Sequence, residues 1–457
     1  MTEHFIAGAA AQPIAFANGL PLAGYIRRTG GATGQLAPLD ARVVYLAHGA
    51  SALALVALDL LYVPRAVADR AAQVAAEALD LSPRHVQVAA THTHSGPAIA
   101  DARGAAAEAV SDAVRTASRA AQDRAQPVEL LRGRLPVGPL AANRRHGTPP
   151  ADPGARVLVA RSVAQPDSVQ AVLFEAPCHP TVLEHDNRQY SPDWPGAARG
   201  VLEQALGGTA VFIQGCSGDL NPLFTGHEPT DAAFLGQGLG YALASGVIDA
   251  LRAASARYVN LSWNRAPSVH LASPLSVARP GPISHFISRV GWPWAATPQP
   301  GEAAAALAQA RTQWQALPEG AERDQAGAAL ALAWARDLRA GGKLSRDLVE
   351  PEVGPRIGLE VRTCSIGPDL DLVTFPGEVF EQTGMELRAA WPRGTEALIA
   401  SCANQSVGYL PPAAEYDALG YEVGASYLAP GAAEALRDAA LTHRCTVDRG
   451  GNRTGES

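Results

Sequence analysis

Short apolar runs and alanine-rich stretches of helical spacing alternate along most of the chain. Residues 43–46 and 53–58 read as buried strands joined by a turn at His48-Gly49-Ala50-Ser51. That polar break, with Asp59 behind it, argues against a membrane span across residues 43–63. Residues 65–79 read as a helix stopped by Ser82-Pro83, residues 86–90 as a strand, and residues 101–125 as a long helix. There follow a strand at 169–174, a helix at 194–206 ended by Gly207-Gly208, a strand at 210–213, and a helix at 231–254 with Thr230 as N-cap. Near the end come a strand at 370–375, a helix at 378–389 and a strand at 396–401. The pattern predicts an α/β fold, a mixed sheet covered by helices.

One region breaks the alternation. Residues 258–300 are rich in Pro, Ser and Trp, as in Gly291-Trp292-Pro293-Trp294. Two alanine-rich helical runs, 303–317 and 321–339, then flank Pro318-Glu319-Gly320, the pattern of a helical hairpin. This insert, about residues 301–341, reads first as packing decoration, with a lid or specificity element as the alternative. Residues 1–447 are expected to form one domain, and the polar tail 448–457 is expected to be disordered. No internal repeat is visible.

Composition narrows the class. A hydrophobic fraction of 47% and a charged fraction of 18% fit a globular protein. The net charge of -7, with no basic block, argues against nucleic acid as a partner. Lys343 is the only lysine, which with the abundant alanine reads as a compositional bias. Five scattered cysteines without a CxxC do not read as a disulfide framework, and a reduced, cytoplasmic setting is the simpler expectation. The N-terminal residues lack the pattern of a signal peptide. No basic amphipathic segment argues for stable membrane insertion.

The candidate chemistry gathers after strands. Thr91-His92-Thr93-His94 follows residues 86–90, and alternate residues of extended chain face the same way, so His92 and His94 can share one site. Cys178-His179-Pro180, Gly215-Cys216-Ser217-Gly218-Asp219, Pro376-Gly377-Glu378, and Asn404 with Tyr409 each follow another strand. Open α/β sheets bind ligands outside the carboxyl ends of their strands. Each motif has a plainer reading: a satisfied core histidine at His179, a first-turn helix carboxylate at Glu378, a turn serine at Ser217. Cys178 is a possible ligand, although thiolate sites usually carry close cysteine pairs. Gly215–Gly218 lacks the Gly-Lys-Ser/Thr of a phosphate loop, so nucleotide binding is rejected. Together the candidates suggest two histidines and one carboxylate, a recognised catalytic zinc shell that leaves a place for water. Nitrogen-rich ligation favours zinc among divalent ions.

Taken in order, these motifs resemble the catalytic domain of the neutral/alkaline non-lysosomal ceramidases, zinc-dependent amide hydrolases. The landmarks are Ala7-Gly8-Ala9, Ala23-Gly24-Tyr25, Thr91-His92-Thr93-His94-Ser95-Gly96-Pro97, Asn143-Arg144, His179, Ser191-Pro192-Asp193 with Gly196, Gly218-Asp219-Leu220-Asn221-Pro222, Pro376-Gly377-Glu378, Asn404 with Tyr409, and Tyr421-Glu422 with Gly424-Ala425-Ser426. The resemblance implies that His92, His179, Glu378 and Tyr409 bind Zn2+. It implies that His94, Arg144 and Tyr421 surround the developing oxyanion, with His94 also serving the leaving amine.

The chain departs from that family in three ways. Asn221 stands where the ceramidases carry a serine, so metal-activated water is expected as nucleophile. Neither the family's C-terminal β-sandwich domain nor its signal peptide is expected from these residues. The expected activity is therefore amide hydrolysis of an N-acyl small molecule, ceramide-like or smaller. An ester or lactone hydrolase, a biosynthetic acyl-processing enzyme with the same site, and a non-catalytic metal-binding protein are the alternatives.

Overall fold

The computed structural model describes residues 4–138, 140–226, 228–255, 273–295, 299–318, 321–340, 356–418 and 420–449. Its helices are α1 (Arg65–Leu79), α2 (Ala105–Asp123), α3 (Asp193–Leu206), α4 (Pro229–Ser255), α5 (Pro300–Ala316), α6 (Ala321–Ala340), α7 (Glu381–Ala390), α8 (Tyr421–Ala425) and α9 (Ala432–Arg449).

Two mixed sheets carry the fold. The larger runs, in spatial order, Thr209–Gln214, Val169–Ala176, Ala155–Ser162, Gln126–Leu135, Phe5–Pro13, Asp40–His48, Ser51–Leu58, Val86–Ala90. Its outermost pairs are parallel and the pairs between them antiparallel. The smaller sheet runs Ile283–Pro293, Arg356–Ile366, Leu370–Thr374, Glu396–Ala400, and its last pair is parallel. The sheets pack face to face: Phe5, Leu55, Leu130, Leu173 and Ile213 of one meet Ile283, Ile366, Leu372 and Leu398 of the other.

Helices cover the outer faces, giving a four-layer α/β/β/α stack. Helices α1 and α2 cover one half of the large sheet, α3 and α4 the other, and α7 and α9 back the small sheet. Because both faces of the strand Val86–Ala90 are covered, all five of its residues are buried, and it reads as an apolar run broken only by Gln87. Helix α2 buries Ala107, Val110, Ser111, Val114, Ala117, Ser118 and Ala121, a stripe at helical spacing. Its close approach needs Gly8, where a Cβ would lie 2.1 Å from the Ala121 carbonyl oxygen. That contact explains one of the sequence landmarks.

The expected strands and helices are present, with instructive differences. No helix starts at Glu378: Glu378–Val379 is a short strand paired in parallel with Tyr409–Leu410, and α7 begins at Glu381. The Glu378 amide donates to the Gly408 carbonyl, and that outside partner draws the chain away from the helical path. Helix α4 starts at Pro229, ahead of Thr230, because the fixed φ of proline suits a first helical turn. The Pro- and Trp-rich region contains an eleven-residue edge strand, Ile283–Pro293. The anticipated hairpin exists as α5 and α6. Helix α9 runs to Arg449, and the remainder of the tail lies outside the described residues.

Candidate metal centre

The site lies where carboxyl ends of strands from both sheets meet. The seam is stitched by main-chain bonds: Ala90 N to Cys402 O at 3.0 Å, Asn404 N to Val88 O at 2.7 Å, and Ser401 N to Gln214 O at 2.8 Å. Asn404 is a clamp. Its Oδ1 accepts from Val88 N, and its Nδ2 donates to Gln87 Oε1 and Thr374 Oγ1. All five polar motifs foreseen after strands sit after strands here.

His92 leaves the strand end with φ +66, a left-handed conformation uncommon outside glycine. Its neighbours hold that turn. Thr91 Oγ1 donates to Asp59 Oδ1 at 3.0 Å, and Arg199 donates to both Asp59 oxygens at 2.9 and 2.8 Å. Both Asp59 and Arg199 are buried. His92 Nδ1 stands 2.7 Å from the Leu61 carbonyl oxygen, and His179 Nδ1 3.0 Å from the Leu220 carbonyl oxygen. A carbonyl only accepts, so each Nδ1 carries a proton, and in the neutral ring each Nε2 presents a lone pair.

Those two lone pairs face each other. His92 Nε2 and His179 Nε2 are 3.2 Å apart, and Glu378 Oε2 lies 3.3 Å from each. One added proton would satisfy one of the three contacts, whereas a cation between them satisfies all three. Tetrahedral ligands at zinc distances of about 2.0–2.1 Å lie about 3.3–3.4 Å from one another. The observed triangle matches that edge, and the fixed Nδ1 partners are what ligating histidines usually have. The donor set fits zinc.

His94 completes a close group with His92 and His179, their nitrogens all within 4.8 Å. Neither of its ring nitrogens has a hydrogen-bond partner, although both are shielded. Its backbone is pinned, N to Pro180 O at 3.3 Å and O to Arg28 Nη1 at 2.6 Å. The Tyr25 ring lies 5.0 Å from its ring. Gly24, at φ +107, lets the chain pass there, since a Cβ would fall 2.5 Å from His94 Nδ1.

Tyr409 reaches the site through its ladder pairing with Glu378. Arg144 Nη2 donates to the Tyr409 hydroxyl at 3.2 Å and to Gly218 O at 2.8 Å. Arg144 Nη1 donates to Asn221 Oδ1, and Nε to Glu422 Oε1. Tyr421 opens α8, its ring 5.7 Å from that of Tyr409. The seven site residues expected from the sequence thus lie in one connected cluster.

Charge states follow from burial and neighbours. Burial presses His179 down to about 4. Burial, with His92 and His179 beside it, holds His94 well below the usual imidazole range, so it stays neutral. Burial alone would raise Glu378, but His92 and His179 outweigh it and keep its carboxyl well below the ordinary value. Burial, reinforced by Glu378, pushes Tyr421 up to about 12, leaving a phenol that donates. Burial opposes it, but Cys402 and Glu378 hold His92 well above the usual imidazole range. Without a cation the three-way contact therefore keeps a proton on His92, and a cation bound there would take that proton's place.

Several residues that serve this site had no role in the sequence reading. Glu422 bridges Arg144 and Arg145. Asp219 accepts from Asn143 Nδ2 and Glu381 N, tying the Arg144 turn to α7. Asp193, at φ +57, accepts from Val182 N and Leu183 N just past His179. Cys402 Sγ approaches His92 Nδ1 at 3.5 Å. Glu422, Asp219 and Asp193 were within the family landmarks, yet their contacts span 76 to 278 residues of sequence in the first two cases and only 10 or 11 in the third. Cys178 is not a ligand here: its thiol points to the Leu140 and His179 carbonyls. The described cysteines Cys178, Cys216, Cys364 and Cys402 are free and buried. No described helix is long and apolar enough to cross a membrane.

No protein-family model matches the chain, and no curated protein matches it. Solved structures do. Neutral ceramidase from Pseudomonas aeruginosa superposes with a TM-score of 0.70 at 19% identity, over 100% of this chain and 76% of the other. A ceramidase complexed with C2 gives 0.69 at 18% identity, over 100% and 77%. The architecture that brings His92, His179 and Glu378 together is therefore the neutral ceramidase fold.

Proposed function

We propose that this chain is a zinc-dependent hydrolase that cleaves the amide bond of a small N-acyl substrate, ceramide-like or shorter. The observation that carries the reading is the triangle of His92 Nε2, His179 Nε2 and Glu378 Oε2, with two imidazole lone pairs and a carboxylate oxygen converging within 3.3 Å. His92, His179, Glu378 and Tyr409 would hold the ion. Zinc bound there supplies a Lewis acid for the carbonyl and lowers the pKa of water toward about 7.

The remaining chemistry belongs to the chain. Hydrolysis adds water across the C–N bond and yields a carboxylic acid and an amine. The unpartnered, neutral imidazole of His94 accepts the proton from the attacking water and delivers it to the departing nitrogen. Tyr421, a phenol at neutral pH, donates to the oxygen that becomes negative. Arg144 brings positive charge to the same place. Four of its N–H bonds are already engaged, so it acts from a fixed position. Asn221 accepts from Arg144 and has no nucleophilic part.

The test is metal content and turnover together. The purified protein is assayed on matched acyl amides and esters, and His179→Ala is measured beside it. Bound zinc near one per chain, lost in His179→Ala along with amide turnover, is the expected result. Parental zinc occupancy in that variant would refute the ligand set, and a marked preference for the ester would move the chemistry to ester hydrolysis.

A further inference from the structure

Helix α6 touches both flanks of the site. At Gly327 a Cβ would stand 3.3 Å from the Cδ and Nη1 of Arg27, two residues beyond the Tyr25 that lies against His94. Seven residues on, about 10 Å along a helix, Trp334 packs with Tyr421 on the cluster of Phe380, Tyr409 and Ala425. Between them Leu332 closes on α8, for its Cδ1 would lie 2.0 Å from a Cβ at Gly424. The chain entering the hairpin is strapped to the same flank: Ala295 N donates to Tyr427 O, and Trp294 bridges to Leu428.

The described side chains of the hairpin add little to the core. Among its described side chains only Ala303 and Leu330 are buried hydrophobics, and α5 is exposed along most of its length. Burial on that scale among the described side chains contributes little to stability. Its apolar side chains are instead spent beside Tyr409 and Tyr421, the two phenols of the site.

We propose that the α5–α6 hairpin is a specificity cap, and that Trp334, supported by Leu332, forms the wall that takes the apolar acyl chain next to the scissile carbonyl. The proposal rests on the acyl-amide reading above. The Trp334 ring is only partly buried, so it has a face left for another apolar group. It lies one aromatic ring from the groups assigned to the carbonyl. An acyl chain leaving that carbonyl meets an indole before it meets water. The packing-decoration reading of the insert predicts no such dependence on the acyl group.

Acyl hydroxamates test this without requiring turnover, because they chelate zinc through their own two oxygens. Affinities of acetohydroxamate and octanohydroxamate are measured by calorimetry on the zinc-loaded full chain, its Trp334→Ala and Trp334→Phe variants, and Leu332→Ala. Each methylene buried against the wall strengthens binding about fourfold. The octanoyl compound should therefore bind the parent at least tenfold more tightly than the acetyl one. That ratio should fall toward one in Trp334→Ala, fall partway in Leu332→Ala, and recover in Trp334→Phe. A parental ratio in both alanine variants, or an equal loss for both compounds, would overturn the cap. If neither compound binds the zinc-loaded parent, the metal-site reading itself fails and takes the cap with it.

Discussion

Glu422→Gln is the sharpest single perturbation of the site's scaffolding. Glu422 Oε1 accepts from Arg144 Nε at 2.7 Å, and Oε2 accepts from Arg145 Nη1 at 2.7 Å. The carboxylate is 5% exposed. Glutamine has the same shape but no charge, and its amide NH2 faces a guanidinium N–H, donor against donor. Arg145 keeps a second carboxylate, Glu415, at 2.8 Å. Arg144 keeps only neutral hydrogen-bond partners: Asn221, the Gly218 carbonyl and the Tyr409 hydroxyl. Breaking a buried ion pair from one side costs about 3–5 kcal/mol. Arg144 is 22% exposed, so the lower end applies, about 3 kcal/mol. Urea denaturation should show that loss. Zinc per chain should persist, because no ligand is removed. Turnover should fall by one to two orders of magnitude as Arg144 loses its fixed position. Glu422→Asp, which keeps the charge, should recover part of both losses. Parental stability and parental kcat/KM in Glu422→Gln would refute the argument that this carboxylate orients Arg144.

Three further outcomes are expected. Tyr421→Phe should retain zinc and lower kcat by about two to three orders of magnitude, measured by steady-state kinetics with metal analysis; an unchanged kcat removes its oxyanion role. Asn221→Ala should keep kcat/KM within about tenfold of the parent, since it loses one hydrogen bond to Arg144; a far larger loss would give the residue a direct part in the chemistry. The third concerns acid stability. His285 is pressed down to about 4, first by burial, while its Nε2 donates to Ala52 O. The unfolded chain, near 6.5, then binds more protons than the folded one between those values, so stability falls as pH drops through this window. The loss is roughly 3 kcal/mol in all. His285→Gln should flatten that part of the profile in denaturation measured at pH 7 and pH 4.5, and an unchanged slope would exclude His285 as its source.

Much of the fold was legible because its strands are covered on both faces. Residues 86–90 could be read from composition alone, since all five are buried. The edge strand Ile283–Pro293 could not, because its residues are mostly half-buried and interleave Trp, Pro, Ser and His. Glu378 was drawn into a helix because local pattern favoured it, while the competing strand partner, Tyr409, lies 31 residues away and leaves no local trace. The hairpin was legible as two helices, but its position over α8 was not. That contact depends on Gly424, whose bare Cα admits Leu332.

By itself, the sequence marked candidate residues placed after strands: two histidines on one strand end, a third after another, and a carboxylate late in the chain, with the two tyrosines added by the family resemblance. Side-chain alternation, turn residues and burial patterns are local, and local rules suffice for them. Only the tertiary structure shows the partners that orient each of those side chains. Whether a histidine ligates or moves protons depends on what its other nitrogen touches. Leu61 O and Leu220 O fix His92 and His179 with lone pairs inward, whereas His94 is left with both nitrogens unpartnered. Those partners lie 31 and 41 residues from the histidines they orient. The parallel pairing of Glu378 with Tyr409, and the seam between the two sheets, exist only once the chain has closed on itself.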